Sequence, residues 1–83
     1  MYYVYVLRSR ATSRLYIGSS GNPDQRLSAH NSGRVRSTKT YRPWERILLE
    51  MHSDRVTAEK RERYLKSGWG RDALRKKLSG LAT

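Results

Sequence analysis

Hydrophobic and polar positions alternate at the start of the chain. Tyr2, Val4 and Val6 fall on one face of an extended segment and Tyr3, Tyr5 and Leu7 on the other, so Tyr2 to Leu7 reads as a half- or fully buried strand. The polar stretch Arg8 to Ser13 turns the chain into a second strand, Arg14 to Gly18, in an antiparallel hairpin. A tight, even-numbered loop sets Tyr5 opposite Tyr16, with both phenols on one sheet face and Val4 and Val6 beside Leu15 and Ile17 on the other; an odd or bulged loop spoils that register. The β pattern stops at Gly18. Ser19-Ser20-Gly21 make a polar turn, and Asn22-Pro23-Asp24 read as N-cap, first helical residue and first-turn acid of a helix from Pro23 to Ser32 that stops at Gly33. Arg34 to Arg42 has no clean period and reads as a loop. Pro43 and Trp44 open a third strand running to Met51, and a second helix spans Val56 to Ser67 and ends at Gly68, with Asp54 or Thr57 as its N-cap. Leu74, Leu78 and Leu81 recur at helical spacing and give a last helix from Arg71 to Leu78. The order β-β-α-β-α-α is that of an α+β domain, a small antiparallel three-stranded sheet flanked by helices, occupying residues 1–83 as one unit.

Two places break this pattern. In the second helix Ala58, Glu62, Leu65 and Trp69 fall on one apolar stripe if the helical turn continues past Gly68, which puts the Glu62 carboxylate on the wrong face. Burying it without a partner costs several kcal/mol, so it needs an arginine or a metal ion, unless it makes an ordinary pair with Lys66 one turn away. Glu59 and Lys66 lie at the edge of the stripe, while Lys60, Arg63 and Ser67 look outward. In the first helix Arg26 and His30 project from one face beside the end of the strand that carries Tyr16. A phenol, a guanidinium and an imidazole therefore converge there, or else form a solvated corner between strand and helix.

Charge narrows the partners. Eighteen Lys and Arg against seven Asp and Glu give a net +11 over 83 residues, a field that attracts polyanions, with nucleic acid first among them. The segment Arg34, Arg36, Lys39, Arg42 with its interleaved hydroxyls reads either as a solvated connector or as an arm that contacts phosphates. No long apolar run, basic leader or lipidation signal points to a membrane, and the expectation is a soluble, cytoplasmic protein. There is no cysteine and there are two histidines, which argues against a disulfide framework, a thiolate zinc site or a His-rich metal site and leaves a hard, oxygen-ligated metal open. Every aromatic residue is Tyr or Trp, so each ring carries a hydrogen-bonding tip.

These residues resemble the GIY-YIG nuclease family, in particular its small stand-alone members and the N-terminal nuclease module of the bacterial excision-repair endonuclease. Tyr3-Val4-Tyr5 stands where the family has G-I-Y, Tyr16-Ile17-Gly18 is the Y-I-G itself, and Arg26, His30-Asn31-Ser32-Gly33, Pro43-Trp44, Glu62 and Tyr64 to Arg71 follow in register over nearly the whole chain. The glycine of G-I-Y is Tyr3 here, a departure that leaves the tyrosine in place. The resemblance implies hydrolysis of DNA phosphodiester bonds, in repair or recombination, at a single Mg²⁺ or Mn²⁺ with Glu62 as its only side-chain ligand. It implies Tyr5 as general base or water-orienting group, Tyr16 at the nucleophile or phosphate, Arg26 against the growing phosphoryl charge, and His30 positioning Tyr5 or relaying its proton. Some members carry a further polar residue after the first helix, for which Thr38, Lys39 and Tyr41 are open alternatives. Arg34, Arg36, Lys39, Arg42 and Lys66 are the expected nucleic-acid contacts. Larger relatives owe specificity to appended domains, so a partner that supplies specificity is also expected, and RNA is not excluded as substrate. The competing reading is a nucleic-acid-binding module that cleaves nothing by itself or only with a partner.

Overall fold

The central strand of the sheet is the one that the amino-terminal alternation marks. In the computed structural model, which describes the backbone of residues 1–81 and the side chains of 1–79, β1 (Tyr2–Ser9) is flanked by β2 (Leu15–Ser20) and β3 (Trp44–His52), both antiparallel to it, in the order β2-β1-β3. The full order is β1, β2, α1 (Pro23–Asn31), β3, α2 (Arg55–Lys66), α3 (Gly68–Leu81), with a short 3₁₀ turn, Lys39–Tyr41, inside the segment expected to be irregular. The place of Leu81 on the last apolar stripe lies outside the described side chains.

Alternation along β1 builds two cores. Val4 and Val6 join Ile17, Ala58, Leu65 and Leu74 on the face covered by α2 and α3, while Tyr5, Leu7 and Trp44 join Tyr16, Leu27 and Tyr41 on the face covered by α1 and the segment after it. Burying each Val or Leu contributes about 1.5–3 kcal/mol, so both faces of so short a strand are needed to hold a chain of this size. β3 crosses from one pattern to the other at a bulge: Val6 pairs with Leu48 but Leu7 with Arg46, leaving Ile47 as the extra residue.

The hairpin register differs from the expectation. Tyr5 lies opposite Gly18, and Tyr16 opposite Leu7, two residues along from a direct Tyr5–Tyr16 pair. A shift of two preserves the faces, so both phenols still share one side. Its cause is Ser9, a buried residue whose hydroxyl accepts from the Ala11 and Thr12 N–H groups and donates to the Tyr41 carbonyl. This folds residues 10–14 into a wider loop than a tight turn.

The helix ends follow their local chemistry. Asn22 accepts from the Gln25 N–H to cap α1, and at the other end Gly33, at φ 83°, lets its own N–H and that of Arg34 return to the His30 and Ala29 carbonyls. Asp54, rather than Thr57, caps α2 by accepting from the Thr57 N–H. α3 starts at Gly68, three residues ahead of expectation, because Ser67 serves both neighbours: its hydroxyl donates to the Tyr64 carbonyl and accepts from the Gly70 N–H. The helical turn therefore does not continue past Ser67. Trp69 leaves the stripe of Ala58 and Leu65 and is 84% exposed, correcting its place there.

Asn31 ties α1 to the start of β3 as a third strand partner would. Its side chain accepts from the Trp44 N–H at 2.6 Å and donates to the Trp44 carbonyl at 3.0 Å, satisfying both backbone groups of a buried residue. Asn31→Ala is expected to lower the urea-unfolding free energy by about 1–3 kcal/mol. Asn31→Asp, which keeps only the acceptor, should fall in between.

Candidate active site

Tyr5, Tyr16, His30 and Arg26 meet on the sheet face covered by α1. β1 carries Tyr5 inward to 2% exposure, and α1 delivers His30, fully buried, against it, with the Tyr5 hydroxyl 3.3 Å from His30 Nε2. The Tyr16 and His30 ring centroids are 4.7 Å apart, and the Tyr5 and Tyr16 rings stack at 6.3 Å. On the far side of the imidazole, Nδ1 lies 2.8 Å from the hydroxyl of Thr38, itself buried, whose oxygen is 3.3 Å from the Val35 carbonyl. Of the alternatives Thr38, Lys39 and Tyr41, only Thr38 touches this cluster by a hydrogen bond. Tyr41 lies farther out, edge-on to Trp44 and under the Arg14 guanidinium, and Lys39 is exposed.

Electrostatics divides the roles. Burial pushes the Tyr5 phenol above its ordinary pKa, and the hydrogen bond and charge of Arg26 act against that rise, while Tyr16 and Glu62 add to it. Arg26 in turn is held charged, first by its hydrogen bond with Tyr5. Burial, and then the Arg26 charge, push His30 below its ordinary value, so the imidazole is neutral near neutral pH. The resting site thus holds a protonated phenol beside a neutral base and a cation.

Glu62 arrives from the other layer. It stands on α2, and its carboxylate reaches the end of β2, where one oxygen accepts from the Ser19 hydroxyl at 2.5 Å and the other is 2.6 Å from the Lys66 ammonium. The ordinary pair with Lys66 is therefore present, the carboxylate is only 20% exposed, and its second partner is the Ser19 hydroxyl rather than an arginine. Among the described residues no group of three or more His, Cys, Asp or Glu could hold a metal. A single carboxylate with a hydroxyl beside it suits a hard ion that keeps most of its water and takes phosphate oxygens, as Mg²⁺ does, and does not suit zinc.

The expected nucleic-acid residues occupy two places. Arg34, Arg36, Lys39 and Arg42 are exposed on the segment that follows α1, with Arg34 Nε donating to Ser32 and Arg42 Nε to the Lys39 carbonyl. Lys66 lines a groove of about 510 Å³ at the open edge of β2, with Arg14, Arg71 and Arg75 as further basic walls, Leu15, Ile17 and Leu74 as apolar floor, and Tyr16 at its margin. Sequence reasoning missed Arg14, Arg71 and Arg75, since they belong to separate elements. It also missed Ser19, whose signal was a polar residue opposite Val4 on an otherwise apolar face.

Gly18 is required by close approach. A Cβ there would stand 2.5 Å from the Tyr5 hydroxyl oxygen and 2.7 Å from its ring carbon, and the buried ring has no room to yield. Gly18→Ala is expected to cost about 1–3 kcal/mol of stability and to pull the Tyr5 hydroxyl off His30, read by thermal unfolding and by the His30 imidazole NMR signals. Gly21→Ala, whose Cβ meets only the Tyr2 ring at 3.5 Å, should alter neither.

Over 55 residues the chain is 49% identical to the structure-specific endonuclease subunit SLX1 of Podospora anserina, a match covering 59% of this chain and 16% of that protein. It is 46% identical over 55 residues to the SLX1 protein of Chaetomium globosum, covering 59% of this chain and 17% of the relative. It is also 36% identical over 67 residues to a UPF0213 protein of Staphylococcus haemolyticus, with 80% of each covered. The chain thus spans about a sixth of the SLX1 relatives and most of the bacterial one. Residues 1–76 match the GIY-YIG catalytic domain, and the chain belongs to the GIY-YIG family.

Proposed function

We propose that the protein is a metal-dependent endonuclease that hydrolyses DNA phosphodiester bonds in repair or recombination. The observation that carries this reading is the buried Tyr5 hydroxyl, hydrogen-bonded to a neutral imidazole and under the charge of Arg26, beside the strand whose end Glu62 reaches through Ser19. A pure binding surface has no use for a buried phenol so paired, nor for a carboxylate turned toward phosphates.

The scissile phosphate lies against Arg26, which balances the charge that grows on the phosphoryl oxygens. Tyr5 orients the attacking water and takes its proton as it passes its own to His30 Nε2, because a phenol held protonated by burial cannot act as a base until that proton moves. The water oxygen bonds to phosphorus while the ester P–O bond breaks, its electron pair going to the leaving sugar oxygen, which takes a proton from solvent. Tyr16 hydrogen-bonds at the nucleophile or a phosphate oxygen. Glu62 would hold one Mg²⁺ or Mn²⁺, a hard ion that would supply Lewis-acid stabilisation of the charge on phosphate. Lys66, its resting partner, then turns to phosphate. The strand runs past Tyr16 between the Arg34 to Arg42 segment and the groove of Arg14, Lys66, Arg71 and Arg75. Two relatives are named as subunits of structure-specific endonucleases, which supports a specificity-providing partner for this chain as well.

The test incubates the pure protein with duplex, nicked, flapped, branched and single-stranded DNA and with RNA, in Mg²⁺, Mn²⁺ or EDTA. Cleavage is expected with either metal and lost in EDTA. Glu62→Gln should abolish it while DNA binding in EDTA persists or tightens. Loss of the half-exposed Lys66 pair should cost no more than about 1 kcal/mol. Glu59→Gln, which breaks only a pair with Arg55, should cleave normally. Metal-dependent cleavage at the parental rate by Glu62→Gln would remove Glu62 as the ligand. DNA binding without cleavage under any condition would favour the binding-module reading.

A further inference from the structure

Hydrogen bonding around His30 has a direction. Among the described residues the buried Tyr5 hydroxyl makes one hydrogen bond, to His30, and Arg26, whose charge acts on it, can only donate, so the phenol's own proton needs an acceptor. His30 Nε2, at 3.3 Å, is that acceptor, since the hydroxyl is buried. A neutral imidazole that accepts at Nε2 carries its proton at Nδ1, and Nδ1–H then donates to the Thr38 oxygen 2.8 Å away. The Thr38 hydroxyl donates onward to the Val35 carbonyl at 3.3 Å. In this order every buried polar side-chain atom has a partner of the right kind, in keeping with the absence of unsatisfied ones among the described residues. The opposite order points His30 Nε2–H at the phenol oxygen and leaves the phenol proton without an acceptor.

We infer that Thr38 is a positioning residue: its oxygen holds His30 in the Nδ1–H tautomer and so keeps the Nε2 lone pair aimed at the Tyr5 proton. This rests on the nuclease reading for its consequence, not for its geometry. When the Tyr5 O–H bond breaks, its proton bonds to Nε2, the phenolate forms, and the imidazolium still donates from Nδ1 to Thr38. Arg26 faces the phenolate and offsets its charge. The groups that face the imidazole are Tyr5 from β1, Tyr16 from β2, Thr38 from the segment after α1, and Arg26, whose charge acts on it from its own helix. Only neutral His30 can accept, so the rate should fall as pH drops through the titration of His30, which lies below the ordinary histidine value.

The experiment compares the parent chain, Thr38→Ser and Thr38→Val by long-range ¹H–¹⁵N correlation of the imidazoles above that titration, without metal or DNA. The chain has only two histidines, and His52→Gln identifies the second, which pairs with Glu50 away from the site. Parent and Thr38→Ser should show protonated Nδ1 and bare Nε2. Thr38→Val, which keeps the shape and removes the acceptor, should move the proton to Nε2. On a substrate the parent cleaves, it should lower kcat on the order of ten-fold or more with DNA affinity unchanged, and Thr38→Ser should restore both readouts. The inference is overturned by Nε2–H in the parent, by Thr38→Val keeping both tautomer and kcat, or by a tautomer change without loss of kcat. If the parent cleaves nothing, the nuclease reading fails, while the spectra still decide for or against Thr38.

Discussion

A phenol cannot be buried in a small domain unless its oxygen is satisfied on all sides, and the protein is arranged around meeting that requirement at Tyr5. β1 must be central for Tyr5 to be covered, Gly18 must lack a side chain for the ring to lie over β2, and α1 must end where it does for His30 to stand beneath the hydroxyl. Gly33 closes that helix end and Asn31 ties it to β3, and Ser9 sets the loop that places Tyr16 next to the imidazole. Each of these local devices is worth little alone. Together they hold a phenol and a neutral imidazole in hydrogen-bond contact, with the charge of Arg26 acting on both.

The two sheet faces do different work. One is an ordinary apolar core of Val4, Val6, Ile17, Ala58, Leu65 and Leu74, and the other is made of rings whose tips are polar. Glu62 belongs to the first layer, where it bonds Ser19 at the end of β2, and it acts on Tyr5 across the sheet only through its charge. Lys66 pairs with that carboxylate, and its exposure means that the pair is screened and weak. The net +11 charge that would draw in nucleic acid is not spread evenly around this crossing: Arg14, Lys66, Arg71 and Arg75 gather on one side of Tyr16.

Much of this was legible from period and punctuation. The strand faces followed from alternation and α1 from Asn22-Pro23-Asp24 and Gly33, while the spacing of Tyr16, Arg26 and His30 left a cluster and a solvated corner as open alternatives that the buried His30 decides. What was not legible depended on side chains bonding to distant backbone. Ser9 widened the hairpin loop by two residues of register, Ser67 broke a helix that the apolar stripe carried through, and Thr38 could not be told from Lys39 or Tyr41 until its hydroxyl was seen against His30. Trp69 was misplaced for the same reason: periodicity assumes an unbroken helix, and a capping serine leaves no mark in hydropathy.

If the buried phenol is the group that acts on the attacking water, removing its oxygen must disable chemistry and leave binding alone. Tyr5→Phe retains the ring that fills the space over Gly18 and deletes only the hydroxyl. On a DNA that the parent protein cleaves with Mg²⁺, its single-turnover rate should drop on the order of 10²-fold or more, with affinity in EDTA little changed. Cleavage by Tyr5→Phe at the parental rate would contradict the account at its centre.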